Sequence, residues 1–397
     1  MDTPGGSVSR ILWLSNAPWA ASGYGEQTAL FVPRLRDLGH EIAVVCNYGL
    51  QGRETTWNHT TCYPSDGQWG NVNLPMFAEE FQADQVIILC DAFVLKPSVW
   101  PDGLTAAVWA PVDHYPIPPP VLGVLQDEKL QPVAMSRFAE QLMTEAGLDP
   151  VYVPHGVDTT RFRPQPEIRD AVRDELGIPR DVFLIGMVAA NKGNASVPRK
   201  GFPQAFLAFS RFARKHKDAW LYCHTEAQPF MGGGGGLNLD VLAEACSVPE
   251  RRLRFPHAKA WQLGIPTQAV AFMYQAFDVL LMPSMGEGFG IPLVEAQACG
   301  VPVIASDHSA MTELCQAGWL VHGDPWWDEL QQSFFIVPSI DGLVAALEAA
   351  YAARGDQRLR DAAAAQGRAY DADTVTETYW KPALEQLALG VSEEAVA

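Results

Sequence analysis

"PSMGEGFGIPLVEAQACGVPVIASD", residues 283–307, carries two carboxylates, Glu287 and Glu295, eight positions apart around Gly-Phe-Gly-Ile-Pro. Apolar runs flank it, VLLMPS (279–284) before and VPVIAS (301–306) after. Such short continuous runs read as strands buried on both faces. The segment IPLVEAQACG between them reads as a helix, with Pro292 tolerated in its first turn. In an open parallel sheet, ligands collect beyond the carboxyl ends of strands, which is where MGEGFG falls. Gly288 and Gly290, with Phe289 between them, let the backbone approach a ligand closely. Free N–H groups at the helix start favour an anion. Glu287 and Glu295 can each accept a hydrogen bond from a ligand hydroxyl. The bland alternative is a plain strand–turn–helix with a glutamate that suits the helix dipole.

The same alternation extends along the chain. ILWLS (11–15), EIAVVC (41–46), QVIILC (85–90), AAVWAPV (106–112), PVAMS (132–136) and VYVP (151–154) form one set of expected strands. FLIGMVA (183–189), WLYCH (220–224), LRF (253–255), VLLMPS and VPVIAS form a second. Helical patterns such as QTALFVPRLRDLGH and FPQAFLAFSRFARKH lie between them, which predicts an α/β chain of two Rossmann-like domains with parallel sheets. The charged, proline-containing segment 156–181 reads as a linker. The expected domains are therefore 1–165 and 166–374, followed by a terminal helix over about 375–397.

Composition limits the possibilities. The chain has 397 residues, enough for two domains. Its formal charge is 28 − 46 = −18, which repels nucleic-acid backbones and anionic membranes at long range. Seven scattered cysteines show no metal-ligand spacing and read mostly as buried thiols in a reducing compartment. MDTPGGSVSR lacks a signal pattern, and no run reaches the ~20 apolar residues of a membrane span. The expectation is a cytoplasmic protein. The glycine run 231–236 reads as a loop; without GK[ST] it is not a P-loop.

The stretch Glu-x7-Glu followed by AQACGVPVIASD resembles the donor-binding signature of retaining GT-B glycosyltransferases, glycosyltransferase family 4 in particular. Four further segments resemble that family in the right order: AMSRFAEQLMTEAGL (134–148), VYVPHGVDTTRFRP (151–164), RKGFPQAFLAF (199–209) and YQAFDVLLMPS (274–284). The resemblance implies two domains facing across a cleft, the C-terminal one holding a UDP- or GDP-sugar and the N-terminal one the acceptor. It implies transfer of a hexose or pentose with retained anomeric configuration. It also implies that the last helix crosses back to the N-terminal domain.

Residue by residue, the resemblance puts Lys200 and Gly201 at a helix start against the donor phosphates. A cation and backbone N–H groups can jointly hold a diphosphate there. The family's second cation is displaced in MVAANKGNASVPRKGF, so Lys192 or Arg199 is the partner. Glu287 is expected on the donor sugar and Glu295 on the ribose. Gly23 and Gly25 in ASGYGEQT match the family's glycine loop, though a tight turn would need them equally. Asp113 and His114 in APVDHYPIPPP match a position that contacts the reacting sugar; capping of a proline-rich loop is the alternative. His155 is read as a hinge residue, and His224 as either a border of the nucleotide pocket or a packing histidine. No Asp-x-Asp follows a strand in the second half, so neither metal nor cofactor is expected, the nucleotide-sugar being a co-substrate. The expected acceptor is a glycan, small molecule or protein. Modified DNA bases are the alternative, and a non-catalytic sugar-nucleotide-binding protein is the rival of another class. A Rossmann oxidoreductase lacks its third glycine in SGYGEQT.

Overall fold

The structure is a computed structural model that describes residues 8–65, 67–191, 197–228 and 236–394, with side chains to residue 388. The chain divides into two compact units. Unit 1 runs to Gly156 and resumes at Asp371; unit 2 is Val157–Tyr370. Both crossings differ from the expected 165/166 and 374/375. The physical reason is that the presumed linker is packed. Arg169–Glu175 is a helix, and its Arg173 side chain is buried. Arg169 and Arg173 donate to the two Asp278 carboxylate oxygens at 2.7 and 2.8 Å. Arg173 also donates to the carbonyls of Ala276, Arg180 and Val182. A buried guanidinium persists only when its donors are matched in this way. Two of the charges that look like a solvated linker, Arg169 and Arg173, are internal ties.

Unit 1 contains β1 (Arg10–Asn16), β2 (Glu41–Tyr48), β3 (Thr55–Trp57), β4 (Thr60–Pro64), β5 (Gln85–Ile88), β6 (Ala106–Ala110), β7 (Leu130–Ala134) and β8 (Val151–Tyr152). Their order is β3-β4-β2-β1-β5-β6-β7-β8. Every pair is parallel except β3–β4. Chain order reverses between β1 and β5, so the crevice of this sheet lies at their carboxyl ends. The core includes Trp13, Trp109 and Phe31, joined by Trp380 from the returning tail, whose ring centroid is 4.9 Å from that of Trp109. That aromatic anchor is why the chain after Asp371 belongs to unit 1.

Unit 2 contains β9 (Phe183–Val188), β10 (Ala219–His224), β11 (Leu253–Arg254), β12 (Val279–Met282), β13 (Val303–Ser306) and β14 (Gly318–Val321), ordered β11-β10-β9-β12-β13-β14 and all parallel. Here the reversal lies between β9 and β12. Helix Phe202–Lys215 covers the sheet with Phe202, Phe206, Phe209 and Phe212 on one buried face, the 3.6-residue spacing that makes an apolar stripe. Each such ring contributes about 1.5–3 kcal/mol on burial.

All eleven strands read from the sequence are present. Five strands have no counterpart in that reading: β3 with β4, β14, and the antiparallel hairpin of β15 (Gly323–Asp328) and β16 (Ser333–Pro338). The β3–β4 strands are polar, and their turn uses Asn58 and His59 at φ 43° and 61° in place of the Asn-Gly that signals such a turn. No helix among the described residues is long and apolar enough to cross a membrane.

Candidate active site

Two loops meet at the chain-order reversal of unit 2, one after β9 and one after β12. Each ends in a helix built alike, Gly201-Phe202-Pro203 and Gly290-Ile291-Pro292. Gly201 and Gly290 are the N-caps at φ 69° and 106°, a left-handed conformation suited to glycine. A Cβ on Gly201 would stand 2.0 Å from the Pro283 carbonyl oxygen, so the two loops touch through this residue. The Met285 N–H donates to the Arg199 carbonyl at 2.7 Å and closes the contact. Neither helix start is capped by a side chain. Their first N–H groups therefore present partial positive charge to the loops.

Lys200 Nζ lies 2.6 Å from Glu287 Oε1, and Arg199 Nη1 lies 3.7 Å from Glu287 Oε2. Arg199 also donates to the Gly286 carbonyl at 3.2 Å. Glu287 is buried. Burial alone would raise its pKa, but the Lys200 and Arg199 charges and the Lys200 hydrogen bond outweigh it and hold the carboxyl below its usual range. The site therefore keeps a carboxylate and two cations side by side. Gly288, Phe289 and Gly290 complete the loop. Phe289 is buried with its ring against Tyr370 at 5.6 Å, so its side chain anchors the loop. Glu295 stands on the helix Ile291–Ala298, where the Tyr274 hydroxyl donates to its Oε2 at 2.8 Å. Burial and the adjacent carboxylate push Tyr274 well above its ordinary pKa, so it remains a donor. Lys192 lies outside the described residues. Among the candidates, the structure joins Arg199 and Lys200 to Glu287.

Three supports were not read from the sequence. The Glu287 N–H donates to the Ser309 hydroxyl at 2.9 Å. Ser309 has φ 55° and ψ −151°, a conformation rare outside glycine that is kept only when surroundings enforce it. Tyr274 fixes Glu295. The hairpin braces the loop from below, since Ile336 donates to the Met285 carbonyl at 3.1 Å and Phe335 packs with Met285 and Val197. Only Tyr274 stands in a quoted motif; nothing in the sequence marks the other two.

In unit 1, Gly23 and Gly25 open the helix Gly23–Asp37, capped by the Ser22 hydroxyl, which accepts from the Gly25 N–H at 3.1 Å. A Cβ on Gly25 would lie 2.3 Å from the Ala20 carbonyl oxygen, so the loop's own backbone requires this glycine. Asp113 and His114 follow β6. Asp113 Oδ1 lies 2.7 Å from His114 Nδ1, and the imidazole is buried. His155 is buried edge-on to Trp109 at 4.3 Å, and burial pushes its pKa down to about 3. Its neighbour Gly156 is held by Gln27, which donates to its carbonyl at 2.9 Å and accepts from its N–H at 3.0 Å. His224 in unit 2 ends β10 with Trp261 edge-on at 5.4 Å, and burial pushes its pKa down to about 4. Both histidines are neutral at neutral pH. All seven cysteines are buried and unpaired.

Both unit 2 loops fall within the part of the chain that a family model matches. Residues 169–332 match the family model for glycosyl transferases group 1. Among curated relatives, the chain is 31% identical over 178 residues to the GDP-mannose-dependent alpha-(1-6)-phosphatidylinositol monomannoside mannosyltransferase of Mycolicibacterium smegmatis, covering 43% of this chain and 41% of that protein. It is 32% identical over 187 residues to the D-inositol 3-phosphate glycosyltransferase of Corynebacterium jeikeium, covering 45% and 42%. The chain thus spans about two fifths of the length of these curated relatives. Among solved structures, a glycosyltransferase from Rickettsia africae aligns over 96% of this chain and 99% of its own, with TM-score 0.69 and 16% identity. A sucrose-phosphate synthase from Thermosynechococcus elongatus aligns over 98% of both chains, with TM-score 0.69 and 15% identity. At this identity the likeness shows the fold, and the fold is GT-B.

Proposed function

We propose that the protein is a retaining, metal-independent glycosyltransferase of the family 4 type. It moves a hexose or pentose from a UDP- or GDP-sugar to a hydroxyl of a glycan, small molecule or protein, in the cytoplasm. The observation that carries this reading is the 2.6 Å Lys200–Glu287 pair between two uncapped helix starts. A sugar diphosphate presents an anion and hydroxyls within a few bonds of each other. A cation, an acceptor carboxylate and two sets of N–H groups in one place match that pattern. The name of the Mycolicibacterium smegmatis relative, which specifies GDP-mannose, supports the donor class.

In the proposed reaction the bond between the anomeric carbon and the diphosphate oxygen breaks, and a bond to the acceptor oxygen forms on the same face. The acceptor proton passes to the departing phosphate oxygen. The protein's task is to stabilise charge growing on that diphosphate. Lys200, Arg199 and the helix starts at Gly201 and Gly290 do this without a metal or cofactor. Glu287 holds the donor sugar and Glu295 the ribose. The Asp113–His114 pair in unit 1 is assigned to the reacting sugar. A carboxylate at Nδ1 favours the tautomer whose Nε2 carries the lone pair.

A panel of UDP-, GDP- and ADP-sugars, scored for binding and for slow hydrolysis with and without EDTA, tests the reading. Binding of a UDP- or GDP-sugar and EDTA-insensitive turnover are expected. Turnover abolished by EDTA and restored by manganese or magnesium contradicts metal independence. Binding with no hydrolysis and no transfer to any acceptor favours a non-catalytic sugar-nucleotide-binding protein. Sugar incorporated only into hydroxymethylated DNA shifts the acceptor and keeps the reaction.

A further inference from the structure

Five neighbouring parallel strands of unit 1 each place one exposed aromatic side chain at or just beyond their carboxyl ends. In sheet order these are Trp69 after β4, Tyr48 at the end of β2, Trp19 after β1, Phe93 after β5 and Tyr115 after β6. Each is between 44% and 60% exposed. Among the described residues of unit 1 these are the only exposed aromatic side chains; Trp13, Phe31, Trp100, Trp109 and Trp380 are buried. Single exposed apolar residues are ordinary, but five aromatics along one edge are a pattern.

The loops that carry them are tied together. Trp19 donates from Nε1 to the Gly49 carbonyl at 2.8 Å, and the Ala17 N–H donates to the Tyr48 carbonyl at 2.8 Å. Asn71 donates to the Val94 carbonyl at 2.9 Å and accepts from the Lys96 N–H at 2.7 Å, joining the Trp69 loop to the Phe93 loop. Tyr24 donates to Asp91 at 3.3 Å. Trp69 itself has φ 60°, a left-handed conformation that is an outlier for a bulky residue. A tryptophan kept there with its indole half in solvent is not serving the core, and strain of this kind points to function.

We propose that this edge of unit 1 is a platform for an oligosaccharide acceptor, read by stacking on the five rings and by hydrogen bonds to Asp91 and Asp113. The proposal rests on the glycosyltransferase reading and names its acceptor class. A π-face is negative and attracts the weakly positive C–H face of a pyranose ring, while carboxylates accept from the ring hydroxyls. Strands lie about 4.8 Å apart, so the three gaps from β2 to β6 spread Tyr48, Trp19, Phe93 and Tyr115 over about 14 Å, and the Asn71 hydrogen bonds bring the Trp69 loop beside Phe93. That length suits several sugar rings in series and exceeds one. The carboxylates at the edge and the formal charge of −18 disfavour nucleic acid and anionic lipid surfaces. Ties between the loops pre-form the row and reduce the ordering cost of binding.

Calorimetry of the full chain with maltotetraose, cellotetraose and α-1,6-mannotetraose tests this, with phosphatidylglycerol vesicles and a single-stranded oligodeoxynucleotide as comparisons. At least one tetrasaccharide should bind, at least about tenfold more weakly to Trp19→Ala and Trp69→Ala, a loss of about 1.4 kcal/mol. UDP or GDP binding should be unchanged in both variants. Trp69→Gly, which suits φ 60°, should melt no lower than wild type by more than a few degrees and still lose the tetrasaccharide. No tetrasaccharide bound by the wild type, undiminished binding in the variants, or vesicle or DNA binding that depends on Trp69 overturns the proposal. A protein that binds a tetrasaccharide but neither UDP nor GDP keeps the platform and breaks the glycosyltransferase reading instead.

Discussion

The carboxyl edges of the two sheets differ in chemistry although both sheets are doubly wound and, the β3–β4 pair aside, parallel. In unit 2 the edge is polar, with a buried carboxylate, two cations and two helix starts that no side chain caps. In unit 1 the edge is open and aromatic, and its helix Gly23–Asp37 is capped by its own Ser22. A side-chain cap satisfies one of the N–H groups at a helix start, here that of Gly25, whereas an uncapped start keeps that group too for an anion. The sheet alone does not decide what an edge binds. The residues at the helix starts and loop tips do.

Unit 2 also holds a second buried carboxylate among arginines, Asp278, and the two can be separated by mutation. Asp278→Ala leaves Arg173 buried without its partner and should destabilise unit 2 by about 3–5 kcal/mol, read by denaturant unfolding. Nucleotide binding by any remaining folded protein should persist. Lys200→Ala should leave the fold intact and weaken UDP or GDP binding by about ten- to a hundredfold, since a charge-assisted bond contributes about 1.5–3 kcal/mol; calorimetry checks it. Glu295→Gln should weaken the free nucleotide by a few fold, whereas Glu287→Gln should spare it and impair sugar transfer. Equal losses for the two would merge the roles that the sites suggest.

The smallest effect is on pH. Burial lowers His155 to about 3 and His224 to about 4 from 6.5, so the folded protein holds both neutral while the unfolded chain protonates them near 6.5. Their contribution is fully present above about pH 6.5 and is lost as pH falls towards 4 and 3. Between pH 6.5 and 5.5 each costs at most about 1 kcal/mol. His155→Phe should flatten that part of the profile, measured by urea unfolding at each pH. An unchanged slope would remove His155 from the account.

Legibility followed the same contrast. The strand–loop–helix units of unit 2 are compressed into RKGF and GEGFGIPLVE, with small residues and charges at fixed distance from apolar runs, so the units could be read directly, whereas the roles of Lys200, Glu287, Glu295 and of Lys192 or Arg199 rest on the family resemblance. The Ser309 contact was not legible, because a strained φ leaves no trace in composition. The hairpin was missed because Trp326, Trp327, Phe334 and Phe335 do not show strict alternation. In unit 1 the five aromatics stand far apart in sequence, Tyr48 ending β2 and the others following four different strands, and only the order of the strands and the ties between their loops make them neighbours. The linker was misread because buried arginines and solvated arginines look alike in sequence.

Hydrogen exchange with and without UDP or GDP locates the nucleotide on the chain. Slowed exchange is expected in segments 199–205 and 285–293, abolished by Lys200→Ala. Protection confined to the strand ends of unit 1, or protection in unit 2 that Lys200→Ala leaves unchanged, would contradict a nucleotide site at Lys200.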